Sequence, residues 1–160
     1  MNQTRNFVPG LILLVTVAVL SSAYSAQYIG GLRPCILCLY ERIPWFAAGG
    51  LMLLVILLSF SGPGRRGLLL LAGVILLGGA VLAGYHVGVE QQIWAGPGAC
   101  SAPEAMPQSL DELKAMLENA TEPRCDQIPW ELFGISLAGY NAIASGVLAL
   151  VALETARRRR

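Results

Sequence analysis

Charged side chains leave four long gaps in this chain. No Asp, Glu, Lys or Arg falls within Asn6–Leu32, Ile43–Gly64, Gly67–Val89 or Leu132–Leu153. Each gap holds about 22–27 residues, enough to cross roughly 30 Å of hydrocarbon as an α-helix. A soluble core helix of that length keeps a polar face, and these runs do not. The pattern predicts an all-α membrane protein, a four-transmembrane-helix bundle forming one domain over residues 1–160. The helices are expected at about 7–27, 43–62, 68–89 and 132–153. The polar stretches 28–42 and 90–131 then become loops at the same membrane face.

The connections carry their own signals. Ser61-Gly62-Pro63-Gly64-Arg65-Arg66-Gly67 reads as a tight turn, because its Gly and Pro residues interrupt helices. The second and third helices are therefore expected to be antiparallel neighbours. Gly78, Gly79 and Gly84 allow close helix packing. In the long loop, Gly96-Pro97-Gly98 is turn chemistry, and Ser109-Leu110-Asp111-Glu112 matches a capping box. Leu110, Leu113, Met116, Leu117 and Ala120 follow at helical spacing. They predict a short amphipathic helix of about three turns, resting on the bilayer surface or on the helix ends.

Charge orients the bundle. Arg5, Arg65, Arg66 and Arg157–Arg160 lie at one face, seven cations in all; Arg33, Arg42, Lys114 and Arg124, four, lie at the other. The richer face is expected to be cytoplasmic. Nine of the ten acidic residues lie opposite it. Both termini are then expected to be cytoplasmic and both cysteine loops to lie outside. The arginine tail then serves as a topology anchor and gives no support for nucleic-acid binding. Arg5, the run Leu11–Leu20 and Ser21-Ser22-Ala23 also have the layout of a cleaved leader. That apolar run is longer than a leader needs, and an uncleaved helix gives an even number of spans.

The four cysteines fall in the two outer loops: Cys35 and Cys38 in the first, Cys100 and Cys125 in the second. Pro34 suits a first helical position. A helix starting there projects Cys35, Cys38 and Arg42 within an arc of roughly 60°, since each residue turns about 100°. A nearby guanidinium and a helix N-terminus both favour the reactive thiolate. Pro44 should kink or interrupt that helix just beyond Arg42. Each feature has a plainer reading. Cys100 and Cys125 taken alone suit a structural loop disulfide. Arg42 could simply snorkel to the interface. His86 could be an interfacial histidine with a satisfied hydrogen bond, or could reach a ligand at that depth. Structural zinc usually takes two close ligand pairs. Here the second pair is widely split and His86 is the sole histidine, so no resident metal is expected. A b-type haem with two axial histidines is excluded on the same count.

Taken together, the residues resemble the bacterial disulfide-bond-forming membrane oxidases, the DsbB family. The resemblance rests on four helices, the early Cys35-Ile36-Leu37-Cys38 followed by Glu41-Arg42, Tyr85-His86 closing the third helix, and the two-cysteine loop. The run Cys125-Asp126-Gln127-Ile128-Pro129-Trp130-Glu131-Leu132-Phe133-Gly134-Ile135-Ser136-Leu137 leads into helix four as in that family. Two segments depart from the commoner pattern: Ala138-Gly139-Tyr140-Asn141, where many members have a Pro and a Trp, and Tyr85–Glu90. Both bear on a quinone pocket rather than on the sulfurs.

The resemblance implies a thiol:quinone oxidoreductase that reoxidises a DsbA-type periplasmic thiol oxidase and sustains disulfide bond formation. In it Cys35, Cys38, Cys100 and Cys125 are catalytic. Arg42 and His86 bind the cofactor, ubiquinone or menaquinone, drawn from the membrane lipid and quinone pool. The reduced partner attacks Cys100, Cys125 passes the exchange to Cys35, and Cys38 stands beside the quinone. One alternative is an enzyme like vitamin K epoxide reductase, in which the loop pair precedes the C-x-x-C, the reverse of the order here. Another is a four-helix membrane scaffold with structural disulfides, which leaves Arg42 without a task.

Overall fold

The computed structural model describes residues 3–97, 109–111, 114 and 124–158. Among the described residues, apart from Leu110, Asp111 and Lys114, five helices and a two-stranded hairpin follow one another. They are α1 (Gln3–Tyr28), α2 (Ile36–Tyr40), α3 (Arg42–Leu57), α4 (Gly62–Glu90), β1 (Glu131–Leu132), β2 (Ile135–Ser136) and α5 (Leu137–Arg157). Four helical stretches are long and apolar enough to cross a bilayer, with α2 and α3 together forming the second.

The second span is broken at Glu41, which ends α2 and begins α3 while keeping αR backbone angles. Pro44 explains the break. It has no N–H, and its ring crowds the carbonyl four residues earlier, here that of Tyr40. A proline costs least in a helix's first turn, which favours a start for α3 close before it. Helix α4 starts earlier than the turn chemistry predicts. Gly62-Pro63-Gly64 forms its first turn rather than a linker, because a first-turn proline lacks only a donor that had no partner. The last helix starts later than its charge-free run, at Leu137. Residues before it fold back as β1 and β2, paired Glu131 with Ser136 and Leu132 with Ile135. Phe133 and Gly134 join the strands, both at positive φ (52° and 74°), as a two-residue hairpin turn requires.

The most extensive packing is α4 on α5, followed by α1 on α3 and α3 on α4. The core holds Ile12, Trp45, Met52, Val55, Leu69, Leu76 and Leu148 with small residues between. Of the glycines expected to permit close approach, Gly79 does. A Cβ there would lie 2.9 Å from the Pro44 side chain. Gly78 and Gly84 face open space, whereas Gly49 against Thr16 (2.7 Å) and Gly73 against Leu153 (2.8 Å) are tight. Of the predicted loop helix, Leu110, Asp111 and Lys114 are helical and exposed. Its other residues, and Cys100, lie outside the described residues.

Candidate functional site

At one end of the bundle, α2 begins with a sulfur as its cap. Cys35 is extended (φ −72°, ψ 172°), and its Sγ accepts the backbone N–H of Cys38 at 3.4 Å. The helix therefore starts one residue beyond Cys35, two beyond the start expected from Pro34. Cys35 and Cys38 are free thiols, with their sulfurs 2.9 Å apart. Cys35 is buried and Cys38 is half-buried. The hydrogen bond with Cys38 pulls the Cys35 thiol down to about 4, against the effect of burial; His86 and the Cys38 N–H add to the lowering. The thiolate character thus sits on the sulfur that caps the helix, where anionic sulfur is favoured.

The two sulfurs have different neighbours. Cys35 belongs to a buried cluster with Leu37, Val89 and Cys125, bordered by Ile36, Cys38, Leu82 and Tyr85. Cys125 is itself buried and disulfide-bonded. Cys38 instead lines a cavity of about 300 Å³. Its apolar wall comes from Val19, Leu20, Ala23, Ala26, Leu137, Ala138 and Ala144, and Arg42 and Trp45 also line it. Cys35 is not among the lining residues. The break at Glu41 helps to orient these groups, since Arg42 opens α3 and is not on the helix that carries the sulfurs. The guanidinium donates from NH2 to Gln27 Oε1 at 2.8 Å and lies 4.6 Å over the Tyr24 ring. Arg42 is thereby fixed to α1. A wider cleft of about 1220 Å³ opens at the opposite end, against Arg65, Arg66 and Glu154. Among the described residues, no cysteine lines it.

His86 is buried on α4 and is not among the cavity-lining residues. Its Nε2 lies 3.6 Å from Cys35 Sγ. Its Nδ1 lies 2.5 Å from Glu41 Oε1, a hydrogen bond between two buried side chains. Asn141 donates from Nδ2 to Glu41 Oε2 at 2.5 Å, and its Oδ1 accepts from Trp45 Nε1 at 2.7 Å. A polar string therefore runs Cys35–His86–Glu41–Asn141–Trp45 across α2, α3, α4 and α5. Beside it, Ser136 donates to buried Glu90 and caps Gly139 N at 3.1 Å.

The cysteines, Arg42 and His86 are visible as candidates in sequence; Glu41 and Asn141 are not. Glu41 falls in a stretch read as loop. Asn141 lies within the segment that departs from the commoner pattern, and Ala138, Tyr140 and Asn141 all line the cavity. The available signal was a carboxylate three residues from a C-x-x-C and next to a membrane span, where an ionisable group needs a partner.

Four helices long and apolar enough to cross a bilayer, with a pair of thiols at one end, define a multi-pass membrane protein. The family profile described as "Disulfide bond formation protein DsbB" matches residues 5–154, and the chain belongs to that family. Among its relatives, the disulfide bond formation protein B of Hahella chejuensis is 32% identical, the match covering 99% of this chain and 96% of the relative. That of Acinetobacter baumannii is 30% identical over 96% and 91%, and that of Marinobacter nauticus 28% over 98% and 95%.

Proposed function

We propose that this protein is a membrane thiol:quinone oxidoreductase that reoxidises a DsbA-type periplasmic thiol oxidase. The observation that carries the reading is the division of labour at the C-x-x-C. Cys35 packs with the disulfide-bonded Cys125, and Cys38 borders an apolar cavity with Arg42. One sulfur therefore adjoins a disulfide, and the other a site suited to a lipid-soluble acceptor.

The chain's own chemistry follows from thiol–disulfide exchange, in which a thiolate displaces a sulfur through a mixed disulfide. The partner's dithiol opens the Cys100–Cys125 disulfide by attack on Cys100. The partner leaves oxidised, and its two electrons remain in the loop pair. Cys125 then attacks Cys35 of the oxidised C-x-x-C, releasing Cys38 as the thiolate. With Cys35 held in that mixed disulfide, Cys38 is the C-x-x-C sulfur left free. Cys100 then attacks Cys125, re-forming the loop disulfide and releasing Cys35, so both electrons now rest on Cys35 and Cys38.

The cavity fits a quinone ring. Its volume is at the lower end of small-molecule sites, its walls are mostly apolar, and one sulfur and a fixed guanidinium border it. Cys38, Arg42, Trp45 and Ala138 would hold the ring. A bound ubiquinone or menaquinone would supply a two-electron, two-proton acceptor. Arg42, already oriented by Gln27 and Tyr24, stabilises negative charge where little water competes. His86 acts on Cys35: its Nε2 can hold the thiol proton or stabilise the thiolate, with Glu41 fixing the ring. Both termini are cytoplasmic in this reading, the cysteine end faces the periplasm, and the bilayer is the bacterial inner membrane.

Arg42→Ala tests it. Quinone reduction should slow by about 10²–10³-fold, the cost of losing one donor to developing charge. Exchange between a reduced thiol oxidase and the loop disulfide should be unchanged. Stopped-flow absorbance with short-chain quinones follows the first, and trapped mixed disulfide the second. Normal quinone reduction in that variant would refute the assignment.

A further inference from the structure

We propose that reduced Cys35 and Cys38, with His86, form a capture site for a thiophilic d10 divalent cation, zinc or cadmium. The sulfurs and Nε2 all lie within 4.8 Å of one another. They come from two spans, α2 with its cap and α4, so the cluster is a product of the fold and not of C-x-x-C spacing alone.

The distances suit tetrahedral coordination. Zinc–sulfur bonds of about 2.3 Å and zinc–nitrogen bonds of about 2.0–2.1 Å place sulfur and nitrogen about 3.5 Å apart. Cys35 Sγ and His86 Nε2 are 3.6 Å apart. The same geometry sets two sulfurs about 3.8 Å apart, so the observed 2.9 Å must widen. Half-buried Cys38, at the cavity edge, has room to make that move. Three protein ligands with the fourth position left to water is an arrangement that binds zinc.

An independent observation comes from the far side of the imidazole. A metal-bound histidine almost always donates its other ring nitrogen to a carboxylate or carbonyl, which fixes the tautomer and aims the ring. His86 Nδ1 lies 2.5 Å from Glu41 Oε1, and Asn141 holds the other carboxylate oxygen. The ring is thus already set with Nε2 towards the sulfurs. Coordination displaces the proton of any thiol still protonated, forms two metal–sulfur bonds and one metal–nitrogen bond, and transfers no electrons. A disulfide between Cys35 and Cys38 removes both thiolate donors, so capture is confined to the reduced pair. Bound sulfurs cannot attack, and turnover stops until the ion leaves. This last step rests on the thiol-oxidation reading above; the binding itself does not.

The test is a cadmium titration of the purified full-length chain carrying Cys100→Ser and Cys125→Ser, reduced and washed free of chelator. One equivalent should produce sulfur-to-cadmium charge-transfer absorbance. His86→Gln should weaken binding at least tenfold, and Glu41→Gln by about 10–100-fold, the range for an outer partner of a ligand. The disulfide form should give no band. Circular dichroism verifies the helices of each variant, and Glu41→Gln decides if His86→Gln fails to fold. Absence of the band, unchanged affinity when the imidazole or its carboxylate is replaced, or equal binding by the disulfide form would overturn the proposal. No quinone or thiol oxidase is present, so a failed titration and a failed turnover assay remain separate results. In the unmodified chain, zinc should halt thiol-dependent quinone reduction and a chelator should restore it.

Discussion

Cys35 and Cys38 are three positions apart, yet they work in different surroundings. Cys35 is buried against Cys125 and His86, and Cys38 meets the cavity. One consequence can be tested by pH. The Cys35 thiol is pulled down to about 4, chiefly by the Cys38 hydrogen bond, whereas an ordinary thiol ionises near 8.5. A depressed value means that ionisation stabilises the reduced fold fully above the unfolded value. That contribution shrinks as pH falls and is gone below about 4. Alkylation of Cys35 in reduced, chelator-treated protein should therefore stay nearly level from about pH 5 to 8. A tenfold fall per pH unit across that window would show an ordinary thiol instead. The sulfurs could be read from sequence because they fall as a C-x-x-C and a loop pair, and Arg42 because it follows that motif at a span's edge. Glu41 and Asn141 could not, because their role lies in partners about 45 and 100 positions away, and one sequence does not display such pairings.

The helical elements were legible because hydrocarbon tolerates few charges, and their ends were not. Turn chemistry does not reveal that Gly62 and Pro63 start a helix, whereas Pro44 does announce an interruption of the second span, which falls at Glu41 rather than just beyond Arg42. Both outcomes follow from where a proline falls relative to a helix start. Close packing was equally hidden: Gly78 and Gly79 are adjacent, but only the side chain of Pro44 distinguishes them. A paired substitution makes the difference measurable. Gly79→Val forces its branches against Pro44 and should cost about 1–3 kcal/mol, the usual penalty for overpacking. Gly78→Val, with nothing within 4 Å, should stay close to the parent. Thermal unfolding in detergent micelles compares them, and equal losses would mean that α3 and α4 do not pack as described.

At the scale of the whole molecule, Cys35, Cys38 and Cys125 gather at one end of the bundle and Arg65 and Arg66 lie at the other. The proposed orientation predicts that, in a cysteine-free background, Gln92→Cys reacts with a membrane-impermeant maleimide on spheroplasts. Ser61→Cys should react only after permeabilisation, and the reverse pattern would invert the topology. The polar string from His86 to Trp45 has a further consequence for assembly. Apolar helix faces are much alike from turn to turn, and lipid matches them as well as a neighbouring helix does. A sliding error of one turn would therefore go nearly unpunished by greasy contacts alone. Glu41 changes that, because its two oxygens are matched by a ring on α4 and an amide on α5. A displaced helix would strand a carboxylate in a medium with no water to receive it. These few side chains serve as an alignment key, giving three otherwise interchangeable rods a single way to stand together.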